Sequence, residues 1–236
     1  MSSGAKSVRS IIPVIVAQSR KQGLEPCLSY GAVIELLYFT SLVHDDVIDQ
    51  HDMRRGHSTL NSVFSNSNAV LTGDYIVYEV IKHCLSLDYG PRVIKMAITA
   101  AKNMVSGIVL EQDGLSAEPF LSNYLEMARL KTDSLCAHSF GLPFIAEEQL
   151  AEGLECGELF GTIFQIHDDF LDRHQDKDCE NIFKIVHSAE TSKVLDEHGN
   201  RMHQLGRKIG ADSAIELTVD YFEPHGYFQD IPTLGE

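Results

Sequence analysis

Basic residues are scarce in this chain of 236 residues: 19 lysines and arginines stand against 34 aspartates and glutamates, a formal charge of -15. A backbone-driven nucleic-acid binder needs a basic face, and an anionic membrane surface would repel such a chain, so neither is expected as the main partner. Proline is sparse too, with 7, and the 44% hydrophobic, 22% charged balance excludes disordered and collagen-like chains. The few cysteines (Cys27, Cys84, Cys136, Cys156, Cys179) are odd in number, widely spread and free of any CxxC pair. They are expected to be buried free thiols in a reducing cytoplasm rather than a disulfide framework. Long hydrophobic runs are missing as well. The longest mostly apolar stretch, Tyr30 to Val43, is interrupted by Glu35, so no transmembrane segment is expected. Met1 to Ser10 lacks the apolar run and cleavage site of a secretory signal.

What is there reads as helix. Ala32, Val33, Leu36, Leu37, Phe39, Leu42 and Val43 follow i, i+3, i+4, i+7 spacing over a length that excludes a strand. Ala69 to Ile81 forms a second such segment, and a third opens at Gly90-Pro91 and runs to about Gln112. Pro119 opens another that stops at Gly141-Leu142-Pro143, and one more runs from about Glu148 to Leu171. Val194 to Phe222 is helical again, broken at Gly210. Gly56 to Asn68 and Gly114 to Glu118 read as connecting loops, and Pro224 to Glu236 as a tail. No period-2 stretch is bounded by hairpin turns. The expectation is an all-α single domain spanning 1-236.

The informative feature is an internal echo. His44-Asp45-Asp46-Val47-Ile48-Asp49 recurs as His167-Asp168-Asp169-Phe170-Leu171-Asp172, each copy closing an apolar helix. Residues i and i+4 share a helix face, so Asp45 stacks with Asp49 and Asp168 with Asp172. Like charges at that spacing destabilise a helix, and the macrodipole disfavours anions at its C-terminal end. Two places that each cost stability twice point to an expected cation. Carboxylates without paired cysteines or histidines favour Mg²⁺ over Zn²⁺, and Mg²⁺ completes its shell with water and phosphate oxygens. Two aspartate faces therefore make a clamp for a metal-bridged diphosphate. Arg54-Arg55-Gly56 follows the first cluster, Lys6 and Arg9 lie one turn apart, and Lys131-Thr132 sits among apolar neighbours. Guanidinium forks match phosphate oxygens bidentately, so these cations complete a plausible site for two diphosphates.

At these residues the chain resembles the trans-isoprenyl diphosphate synthases. Ser41 to Asp49 followed by Asp52-Met53-Arg54-Arg55-Gly56 is similar to the family's first aspartate-rich motif, and Phe164 to Asp172 to its second. Between and before them, Gly4 to Ser10 resembles a GGKRxRP segment, Ala69 to Tyr75 an AVLxGD helix, and Lys131-Thr132 a KT pair. The resemblance covers about residues 4 to 172. It implies an isoprenoid synthase fold, helices around a central cavity, usually as a homodimer. It also implies head-to-tail condensation of isopentenyl diphosphate with an allylic diphosphate. Asp45 and Asp49 would bind two Mg²⁺ and Asp168 a third, with Asp46, Asp169 and Asp172 completing the motifs. Lys131, Thr132, Gln165 and Arg54 would serve the allylic diphosphate, and Lys6, Arg9, Arg55 and Tyr38 the isopentenyl diphosphate. Residues four and five before Asp45 set chain length in the family. Here they are Ser41 and Thr40, both small, so the expected product has twenty carbons or more, with Tyr38, Tyr75 and Tyr78 as candidate floor residues.

Three departures mark the chain. Tyr38 stands where the family usually has His or Gln. No GK pair follows Asp172; Asp176 fits the start of that segment, and Lys177 or Lys184 is a loose substitute. The family's helices before Gly4 have no counterpart here, and 173-194 is short. The missing lysine segment keeps open a weakly catalytic or non-catalytic subunit of a hetero-oligomeric synthase, against which the six motif aspartates and both arginines stand. An HD-type metal phosphohydrolase built on His44-Asp45 would need more histidine ligands.

Overall fold

The computed structural model describes residues 7-112, 120-172, 182 and 188-222. Helices dominate them: α1 (Val8–Ser19), α2 (Leu24–Ile48), a short α3 (Leu60–Val63), α4 (Asn66–Leu85), α5 (Gly90–Gln112), α6 (Phe120–Ala128), α7 (Ser134–Gly141), α8 (Leu150–Asp172), α9 (Ser188–Ile209) and α10 (Asp212–Phe222). The all-α expectation holds, with one correction. The presumed loop after the first aspartate cluster contains a minimal antiparallel hairpin, β1 (Met53–Arg54) and β2 (His57–Ser58). Its two turn residues, Arg55 and Gly56, have φ of 51° and 80°. Positive φ at both positions is what a two-residue turn needs to match strand twist, and Gly56 adopts it without a side-chain clash.

All eight residues of α7 are buried, which makes it the axis of the described fold. One core surrounds it with Val8, Ile12, Phe140, Phe160, Phe164, Leu205 and Ile215, from α1, α7, α8, α9 and α10. A second joins α2, α4 and α5 to α7 through Ile34, Leu37, Val80, Val93, Met104 and Leu135. The closest approach is between α7 and α8. Gly153, Gly157 and Gly161 fall four residues apart on α8, so they share one face. A Cβ at Gly157 would lie 2.2 Å from the Cys136 carbonyl oxygen and 2.5 Å from Ala137 Cα. Only hydrogen fits there, and the stripe lets the two helices touch backbone to backbone.

Two helices, α2 and α5, are long and apolar enough to cross a bilayer by length and composition, which the interrupted run Tyr30 to Val43 does not suggest. Of that apolar stretch 44% is buried against the rest of the protein in α2, and 22% in α5. Burial of the four described cysteines as free thiols agrees with expectation, while Cys179 lies outside the described residues.

Candidate active site

The first cluster ends α2. Asp49 caps the helix, its N–H bonding the Asp45 carbonyl at 2.8 Å. Asn61 Nδ2 reaches the Asp46 and His51 carbonyls at 3.3 and 3.1 Å, and Thr59 Oγ1 donates to His51 O at 2.7 Å. The following segment thus satisfies the helix's terminal carbonyls and fixes the direction of the acidic turn. His44 packs its ring against Gly73 of α4, where a Cβ would sit 2.2 Å from Nε2, and lies 3.8 Å from Asp74 Oδ1. That contact explains why the Ala69–Tyr75 segment needs its glycine.

The three aspartates of this cluster have different surroundings. Asp46 is buried and paired with Arg54, Nε to Oδ1 at 2.7 Å. The hairpin folds Arg54 back for this purpose, so its Nε serves the fold. Arg55 is left exposed at the turn. Asp45 has a buried Oδ1 with no hydrogen-bond partner among the described residues. Burial raises its pKa to about 6, opposed by the Lys131 charge and reinforced by Asp49. Asp49 is exposed beside it. An unsatisfied buried carboxylate oxygen next to a second carboxylate fits a hard divalent cation.

The second cluster ends α8 and repeats the division of labour. Asp169 accepts from Tyr124 OH at 2.8 Å, Gln165 Nε2 at 2.9 Å and the Ile182 N–H at 3.5 Å. Burial lifts its pKa to about 6 against those donors. Asp168 is half-buried on the adjoining face, and its charge acts on Arg9 and Tyr124. Asp172 is the last residue of the helix, and its side chain lies outside the described set.

Lys131 and Thr132 stand in a π-helical turn, Arg129–Asp133, between α6 and α7. Such turns insert one extra residue and are frequent at functional sites. Lys131 pairs with Glu111 at the end of α5 while its charge reaches Asp45, and Thr132 Oγ1 donates to Gln165 Oε1 at 2.5 Å. One turn therefore addresses both aspartate motifs. Neither the turn nor Glu111 and Tyr124 is legible in the sequence, where no spacing rule singles them out.

Arg9 is buried, with its guanidinium carbon 4.3 Å from the centroid of the Tyr38 ring and 5.5 Å from that of Phe164. Burial works against its charge, but Cys136, Tyr38 and Asp168 outweigh it, and the group stays protonated. Its Nε has no partner. Tyr38 thus contributes its ring face to Arg9. Thr40 is buried with an unpartnered hydroxyl, and Ser41, half-buried, donates to the Tyr38 carbonyl at 2.8 Å. The candidate floor residues Tyr75 and Tyr78 are more than 60% exposed, at 63% and 67%. Lys6 and the stretch with Asp176, Lys177 and Lys184 lie outside the described residues.

A helical fold with two aspartate clusters at helix ends, bridged by a basic turn, defines the isoprenoid synthase class. Solved structures agree: a geranyltranstransferase from Thermotoga maritima superposes with a TM-score of 0.82 at 20% identity, covering 94% of this chain and 86% of that one. The family model for polyprenyl synthetases matches residues 1-188, and the chain belongs to that family. It is 27% identical to a short chain isoprenyl diphosphate synthase of Methanocaldococcus jannaschii, over 94% of this chain and 73% of the relative. It is 34% identical to a geranylfarnesyl diphosphate synthase of Methanosarcina mazei, over 94% and 72%. Against the octaprenyl diphosphate synthase of Escherichia coli it is 31% identical, over 75% of this chain and 56% of that protein. The chain thus spans little more than half the length of several relatives.

Proposed function

We propose that the chain performs Mg²⁺-dependent prenyl transfer, condensing isopentenyl diphosphate with an allylic diphosphate. The observation that carries this reading is the π-turn: Lys131 acts on Asp45 of one motif while Thr132 bonds Gln165 beside the other. Family membership supports it. Asp45, Asp49 and Asp168 would hold the metal, and when bound it would neutralise charge on a departing diphosphate. Mg²⁺ takes most of its ligands from phosphate and water, so one or two carboxylates per ion suffice. His44 is engaged with Gly73 and Asp74, which disfavours an HD-type phosphohydrolase.

The protein's own contribution is placement and charge. Lys131 supplies positive charge beside the allylic diphosphate as the carbon–oxygen bond breaks, and Arg9 and Arg55 hold isopentenyl diphosphate so that its alkene meets the carbocation. Asp46 and Asp169, tied to Arg54 and to Tyr124 and Gln165, fix the turns that carry the metal-binding aspartates. The departed diphosphate takes the proton, so no protein nucleophile is required. Small Thr40 and Ser41 support a product of twenty carbons or more. Exposed apolar side chains at helical spacing on α4 (Leu71, Tyr75, Tyr78, Leu85) and α5 (Ile98, Val105, Val109) support a homodimer. The buried free thiols support a cytoplasmic setting.

The test is diphosphate release and prenyl product formation with both substrates and Mg²⁺. Wild type should need both substrates and lose turnover to a chelator. Asp45→Ala and Asp168→Ala should each abolish condensation with helical circular dichroism intact. Near wild-type turnover in either variant would refute the assignment.

A further inference from the structure

We propose that Asp133 is a positioning residue, anchoring the π-turn that presents Lys131 and Thr132 to the two aspartate clusters. The proposal rests on the prenyl-transfer reading of that site and deepens it.

Asp133 closes the π-turn and is 2% exposed. Its Oδ2 accepts a hydrogen bond from Thr162 Oγ1 at 2.6 Å, while Oδ1 is buried without a partner among the described residues. Leaving such an oxygen unsatisfied costs stability. Among the described residues no ion pair offsets the cost: burial raises the pKa to about 8, with the Thr162 bond and the charges of Arg129 and Arg9 opposing the rise only in part. An apolar side chain here would be cheaper for the fold.

What the carboxyl supplies is attachment. Thr132 bonds Gln165 and Asp133 accepts from Thr162, so adjacent residues of the turn grip α8 at two points three residues apart. Residues at that separation are neighbours on one helix face. Two bonds fix the rotation of the turn as well as its position, and one alone would leave it free to swivel.

Glycines hold the turn from both sides. A Cβ at Gly161 of α8 would lie 2.5 Å from Asp133 Cα, and one at Gly107 of α5 would lie 2.7 Å from the Lys131 nitrogen. The turn is wedged between two backbones, with Asp133 and Thr132 as its polar fasteners. Lys131, the next residue back, takes its direction from them. A π-turn carries an extra residue relative to an α-helix, so without an anchor it is free to rearrange.

The test combines activity with a local readout. Asp133→Ala and Thr162→Val should each lower kcat about tenfold, as expected when a charged group is misplaced by a fraction of an ångström. Asp133→Asn keeps an acceptor for Thr162 and should stay within about threefold of wild type. In a Lys131→Ala background, Asp133→Ala should cost several-fold less than in wild type, because much of its effect passes through that lysine. Hydrogen exchange of amides 129-134 should quicken at least tenfold in Asp133→Ala and Thr162→Val but not in Asp133→Asn. Unchanged kcat and exchange in Thr162→Val would overturn the proposal even if Asp133→Ala fails to fold. So would an equal loss from Asp133→Ala with and without Lys131. If wild type shows no turnover, the prenyl-transfer reading fails, and the exchange measurement alone judges the anchor.

Discussion

Gly157→Ala inserts one methyl group where α8 crosses α7. The new Cβ would stand 2.2 Å from the Cys136 carbonyl oxygen and 2.5 Å from Ala137 Cα, both backbone atoms of a fully buried helix. Optimal contact lies near 3.5 Å, so the helices must part by about 1 Å. Overpacking of this kind costs about 1–3 kcal/mol, and the upper end applies because no flexible side chain can yield. Alanine's better helix propensity returns up to about 1 kcal/mol, leaving a net loss of about 2 kcal/mol. For a chain of this size that lowers the melting temperature by roughly 4–8 °C. The larger consequence is functional. α8 carries Gln165 and Asp168 while α7 continues directly from the turn bearing Lys131. Separating them by about 1 Å misaligns the halves of the site, and turnover should fall by on the order of 10²-fold. Gly199 of α9 is the control, since a Cβ there meets nothing within 4 Å. Gly199→Ala should stabilise slightly and leave turnover unchanged. Thermal melts and steady-state kinetics on both variants decide the matter. If Gly157→Ala melts at the wild-type temperature with wild-type kcat, the close-contact reasoning is wrong.

Three further outcomes are expected. Stability should fall as pH rises from about 4 to about 8, because folded Asp133 keeps its proton up to about 8 while the unfolded chain releases it near 3.8. Urea unfolding at pH 5 and 8.5 should show Asp133→Asn losing part of that slope, of order a few kcal/mol, and an unchanged slope would contradict the assignment. Arg55→Ala, at the exposed hairpin turn, should raise the KM for isopentenyl diphosphate about tenfold with little effect on the allylic primer; equal effects on the two would remove the basis for separate sites. Ser41→Phe should shorten the product, seen by chromatography of the prenyl alcohols, and a wild type that stops at fifteen carbons would end the chain-length argument.

The echoed acidic hexapeptides, the helical spacing and the breaks at Gly90, Gly141 and Gly210 were readable because each is a local pattern. Periodicity, capping and like-charge spacing act within a few residues, so the chain alone determines that it folds as helices and that two of them end in costly acidic turns. Tertiary structure decided which acids are tied to neighbouring helices and the hairpin. Asp46 and Asp169 look identical to Asp45 and Asp168 in a motif, but Arg54 takes the first and Tyr124 with Gln165 the second. Tyr124 is remote in sequence and Arg54 is folded back by a hairpin turn, while Gln165 lies one helical turn before Asp169. The π-turn was illegible for the same reason: its extra residue is stabilised by Gly107 and Gly161 on two other helices and by Thr162, not by anything between Arg129 and Asp133. Burial likewise placed Arg9 on the Tyr38 ring, where sequence showed only two residues on separate segments. Local chemistry named the candidate groups, and the packing of α5, α7 and α8 determined which of them face each other, because only a folded chain brings Gly107 and Gly161 against the backbones of Lys131 and Asp133.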